Sequence, residues 1–77
     1  MDRDTIRQLI EDHLPGCEAM VEGDDGVHFS ALVVAPQFAG QSTLGRHRMV
    51  YAALGERMGT DIHALTIRAL TPDEAAG

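Results

Sequence analysis

The sequence predicts an α+β fold: a three-stranded sheet with helices packed on one face, in the order helix, strand, strand, helix, strand. Three observations predict it. Ile6, Leu9, Ile10 and Leu14 recur at helical spacing. Residues 17–22 and 27–34 alternate in pattern on either side of a Gly-Asp-Asp-Gly segment. A second helical stretch, 44–58, is followed by a further strand-like run. Elements that are apolar on one side only are buried by stacking in two layers.

The first helix is expected over Asp2–Leu14, with Asp2 or Asp4 at its start and Pro15-Gly16 as its stop. Cys17, Ala19 and Val21 then alternate with Glu18, Met20 and Glu22, a strand with one wetter face. Gly23-Asp24-Asp25-Gly26 reads as a hairpin turn, and Val27–Val34 as its antiparallel partner, ended by Pro36. A glycine-containing turn, 38–43, leads to the second helix with Ser42 or Thr43 as cap. Its buried stripe is read as Leu44, His47, Val50, Tyr51, Leu54 and Met58, with Gly55 as a mild cost and Gly59 as terminator. Asp61–Leu70 reads as the third strand, with His63, Leu65, Ile67 and Ala69 on one face. Thr71-Pro72-Asp73-Glu74 has the cap, proline and acids of a short terminal helical turn, so 71–77 is expected as a turn and tail on a single domain, 1–77.

The bulk properties narrow the function. A chain of 77 residues, 44% hydrophobic and 23% charged, is a small globular domain with a thin stability margin. With Tyr51, Phe29 and Phe38 as its only aromatics, the core is expected to be mainly aliphatic. A net charge of −6 disfavours sequence-independent attraction to phosphate backbones or anionic membranes. The single cysteine, Cys17, precludes an intramolecular disulfide and fits a reducing compartment. No apolar run reaches the length of a membrane span or signal core, which makes the cytoplasm the expected location.

No catalytic constellation stands out: there is no Gly-x-Ser-x-Gly elbow, phosphate loop, His-Glu-x-x-His or Cys-x-x-Cys. The residues with chemistry to offer are four histidines and Cys17. Cys17, at a strand start, reads as a small apolar packing residue. His13, near a helix C-terminus, reads as a dipole partner, and His47, on the helical stripe, as a half-buried packing residue. Arg46 and Arg48 flank it and are expected to point away from the stripe as a solvated face, or as a small basic patch. His28 and His63 both lie near strand ends, where imidazole is accessible and is a good ligand for iron, zinc or copper; structural roles remain the ordinary alternative.

Several segments, in this order, resemble the BolA family: Phe38-x-Gly40-x-Ser42, Arg46-His47-Arg48-x-Val50-Tyr51, Ile62-His63-Ala64-Leu65 and Thr71-Pro72-x-Glu74. The resemblance runs from Ile6 to Glu74, and the Gly-x-His28-Phe29 strand entry looks more like the IbaG branch. It implies a fold similar to the class II KH domain and two activities. One is partnership with a monothiol glutaredoxin, in which a [2Fe-2S] cluster is held by a glutaredoxin cysteine, glutathione and ligands from the BolA-like chain. The other is transcriptional regulation through nucleic-acid binding. By position, the resemblance implies His63 as the histidine ligand. Many family members carry a second ligand, cysteine or histidine, in the first hairpin loop. Here 23–26 holds neither, and His28 is the substitute, provided that the hairpin end and the start of the third strand share an edge. A histidine-ligated cluster is expected to be labile, oxidising and pH-sensitive, since neutral imidazole replaces an anionic thiolate and a protonated one cannot bind.

Two classes of function follow. The favoured one is an adaptor, not an enzyme, that carries a cluster only in complex with its glutaredoxin and acts in iron–sulfur handling or in iron, redox or stress regulation. The alternative is a KH-like regulator that touches nucleic acid through Arg46, Arg48, Gly40 and Ser42. A KH reader needs a Gly-x-x-Gly clamp, and 40–43 has one glycine and no lysine beside it. Candidate partners are therefore the glutaredoxin, a second copy of this chain, and nucleic acid, the last disfavoured by charge.

Overall fold

The computed structural model describes residues 1–77. The first apolar stripe forms α1, Arg3–His13, with Asp2 as its cap accepting the Thr5 amide at 2.8 Å. Asp4 in the first turn and His13 in the last both suit the helix dipole. Ile6, Ile10 and Leu14 enter the core, as their spacing requires.

The alternating segments form β1, Glu18–Glu22, and β2, His28–Val34. They pair antiparallel, with Glu18 opposite Val34 and Glu22 opposite Ser30. The chain then makes a 3-10 turn, Pro36–Phe38, and enters α2, Thr43–Leu54, capped by Ser42, whose Oγ accepts the Gly45 amide at 3.0 Å. This helix carries the chain back along the sheet, so β3, Ala64–Leu70, pairs with β2 in parallel. The order across the sheet is β1-β2-β3. Ala19, Phe29, Ala31 and Val33 point into the core beneath the helices, with Leu65, Ile67 and Ala69 packed against them. The opposite face is open, and Met20 on it is 62% exposed. A capping box between Thr71 and Glu74 starts α3, Pro72–Ala76. No helix is long and apolar enough to cross a membrane.

Three expectations are corrected. α2 stops at Gly55, not Gly59: Gly55 takes φ +57°, which a residue with a Cβ adopts only under strain, and a 3-10 turn, Gly55–Arg57, follows. The buried stripe of α2 is rotated by about one position from the expected one. Val50 and Leu54 are buried and Met49 and Ala53 pack behind them, whereas Leu44 and Tyr51 are 59% and 40% exposed. The displaced position is Arg46, expected in solvent beside Arg48. Its side chain is only 14% exposed, its guanidinium lies 5.9 Å from the centre of the Phe38 ring, and its donors reach inward. An arginine can lie on the inner side because its stem packs and its head group finds acceptors. The third strand begins at Ala64, so His63 stands just ahead of it at a bend. The core is aliphatic apart from Phe29 and Phe38.

Candidate functional site

The parallel pairing of β2 and β3 brings two distant histidines to one end of the sheet. His28, the first residue of β2, stands opposite Ala64, the first of β3, and His63 immediately precedes Ala64. Strand spacing puts the two backbones within roughly 5–7 Å of each other. The condition attached to His28 in the sequence, a shared edge, is therefore met.

The backbone of His63 is held on both sides. The preceding Ile62 is fully buried, its amide donates to Arg57 O at 2.8 Å, and its carbonyl accepts from Gly59 at 2.8 Å. The following Ala64 donates to Val27 O at 3.3 Å. His63 is thus an exposed side chain on an anchored backbone and not a core histidine.

His28 is also exposed, and strand alternation assigns it to the open face with Ser30 and Leu32. Its setting depends on Asp25 in the hairpin loop. Asp25 Oδ1 accepts the Val27 and His28 amides, each at 2.8 Å, and Oδ2 lies 2.8 Å from His28 Nδ1. The His28 ring is the largest influence on the Asp25 carboxyl, followed by the two amides, and together they hold it well below the usual carboxylate range. Gly23 closes the loop from behind: a Cβ there would lie 2.6 Å from Phe29 Cδ1 and 2.7 Å from His28 O. An open depression beside His28 is bordered by Arg3, Glu22, Asp24, Ser30 and Thr66.

The donor set fits a soft or borderline metal. The backbones of two exposed histidines lie at one end of the sheet, and the carboxylate on Nδ1 of His28 is the kind of support that metal-binding histidines commonly have. No group of three or more histidine, cysteine or acidic side chains placed to hold a metal ion converges anywhere in the chain. Asp25 was not singled out in the sequence; its signal was an acid three residues before a histidine inside a turn.

The remaining candidates lie elsewhere. Cys17 is half-buried with Sγ 3.8 Å from Ile10 O, and desolvation, then Glu11, pushes its thiol up, away from the reactive thiolate. His13 is exposed on α1 and His47 half-buried on α2. Of the four residues assigned to a nucleic-acid surface, Arg48 and Gly40 are exposed, Gly40 at φ +78°, while Ser42 is used as the helix cap. Arg46 is engaged internally, donating to Gln41 O at 3.0 Å, Ala69 O at 3.1 Å and both Glu74 oxygens at 2.6 and 3.2 Å.

A helix-covered sheet with a parallel crossover and an exposed histidine just ahead of its last strand defines a small α+β domain. This chain belongs to the BolA-like protein family, whose profile matches residues 9–74. It is 47% identical to human BolA-like protein 1 over 57 residues, 74% of this chain and 41% of that protein. It is 40% identical to the Escherichia coli DNA-binding transcriptional regulator BolA over 50 residues, 65% of this chain and 48% of that protein. The chain thus spans less than half the length of these relatives. A solved BolA homologue from Coxiella burnetii superposes with a TM-score of 0.90 at 46% identity, covering 100% of this chain and 99% of that one.

Proposed function

We propose that this chain is a non-enzymatic adaptor that docks on a monothiol glutaredoxin and contributes His63, with His28 as second donor, to a shared [2Fe-2S] cluster completed by the glutaredoxin cysteine and glutathione. The observation that carries this reading is the backbone placement of two exposed histidines at one end of the sheet, each on an anchored backbone. Such a cluster supplies iron or electrons that can be passed on. The chain's own residues bring the two histidine backbones to one end of the sheet and offer an edge for docking. The test is a titration of this chain into cluster-loaded monothiol glutaredoxin with glutathione, followed by visible circular dichroism. A new spectrum saturating near equal amounts is expected, and an unchanged spectrum at every ratio, with an active partner, refutes the reading.

The name of the similar Escherichia coli protein favours a second reading, a nucleic-acid-binding regulator. Arg48, Arg57 and Arg68 are exposed and carry no ion pair, which leaves them free for phosphates. Against it stand the net charge of −6 and the internal engagement of Arg46. Passage through a heparin column at low salt separates the two: flow-through supports the adaptor, and retention that weakens steeply with salt supports the regulator.

A further inference from the structure

The Asp25–His28 contact has a geometric consequence. Asp25 is fixed before it meets the ring, because Oδ1 is tied to two backbone amides at 2.8 Å. That anchoring aims Oδ2 at Nδ1, also at 2.8 Å. An ionised carboxylate only accepts hydrogen bonds, so in the neutral ring Nδ1 must carry the proton. A free histidine side chain prefers its proton on Nε2, where it blocks that nitrogen as a ligand. Of the four histidines, His28 is the only one whose ring makes a hydrogen bond.

We infer that Asp25 is the positioning residue for His28, holding the imidazole in the tautomer that leaves the Nε2 lone pair open to a metal. The inference deepens the cluster-sharing reading and rests on it. It also accounts for a hairpin loop with no cysteine or histidine of its own: the loop supplies a carboxylate that prepares a histidine two residues beyond it. Both partners are largely solvent-exposed, so the pair acts on ring orientation and proton position rather than on the stability of the fold.

Asp25→Asn tests this. The asparagine keeps Oδ1 for the two amides and so keeps the loop, but it replaces Oδ2 with an NH2 donor. That donor demands a bare Nδ1, which moves the proton to Nε2. Long-range 1H–15N correlation spectra of the isolated chain at neutral pH report the tautomer directly. Wild-type His28 is expected as Nδ1–H, with His63 as internal reference, and His28 of the variant as Nε2–H, with other backbone signals in place. In the glutaredoxin titration, the variant's midpoint is expected to rise about tenfold or more, the usual range for loss of a ligand's supporting partner. Wild-type His28 protonated on Nε2 overturns the inference. So does a variant that titrates like wild type, which leaves the cluster-sharing reading intact. A wild-type chain that never responds to the glutaredoxin removes that reading and the inference together, even if the tautomer is as stated.

Discussion

Arg46→Ala is the sharpest test of how this small domain is held together. Arg46 ties three segments to α2: the turn before it through Gln41 O at 3.0 Å, β3 through Ala69 O at 3.1 Å, and α3 through Glu74. Its guanidinium also lies over the buried Phe38 ring, 5.9 Å from the centre. The two carbonyl bonds are taken at about 1 kcal/mol each, the value of an ordinary hydrogen bond and below that of a fully desolvated charged donor, because the head group is still partly hydrated. The ring contact adds about 0.5 kcal/mol, and alanine's helix propensity returns a few tenths. The expected loss is therefore about 2 kcal/mol even with Glu74 left out. For a domain of this size that is a fall in Tm of about 8–16 °C. Urea unfolding followed by circular dichroism measures it, with the m-value checked for constancy. Arg46→Lys should fall between the two, because an ammonium cannot reproduce the fork. A loss under about 0.5 kcal/mol for Arg46→Ala would refute this account and return Arg46 to the solvated face assigned from sequence.

Three further outcomes are expected. The Arg46 guanidinium, then the Thr71 amide, lowers the Glu74 carboxyl from 4.5 to about 2. A lowered folded value means that this stabilisation is full above about pH 4.5 and is lost as pH falls to about 2, so the stability difference between wild type and Glu74→Gln should shrink across that window; a constant difference would contradict the pairing. Gly23→Ala should cost about 1–3 kcal/mol in urea unfolding, since its Cβ would meet Phe29 and His28 O, and a neutral result would show that the loop is looser than described. Gly55→Ala should cost about 1 kcal/mol or more by the same assay, because φ +57° with ψ −132° strains any residue with a Cβ; an unchanged midpoint would mean that the helix end can rearrange freely.

The parts of the fold that carry a clean period were legible in the sequence. Ile6, Ile10 and Leu14 gave α1, and Ala19 against Glu18 and Met20 gave β1 with its faces correctly assigned. α2 was misaligned because Arg46 was counted as a charge, while its stem and head group are packed over Phe38. Its early stop at Gly55 depends on backbone conformation, which composition does not encode. The direction of β3 follows from the return path of α2 rather than from any periodicity in residues 64–70, and on that parallel register the proximity of His28 to His63 depends. His63 was reachable through the family resemblance, His28 only on a topological condition, and Asp25 only as an acid three residues before a histidine, a signal that acquires meaning once the loop folds back onto the ring.

The central claim is that His63 is a ligand and not part of the core. The most direct measurement compares wild type with His63→Ala in the glutaredoxin titration by visible circular dichroism, alongside urea unfolding of both chains. Loss of the mixed-cluster spectrum with stability unchanged within about 0.5 kcal/mol is the expected result for an exposed side chain. A spectrum that survives the substitution, or a domain that unfolds because of it, would contradict the claim.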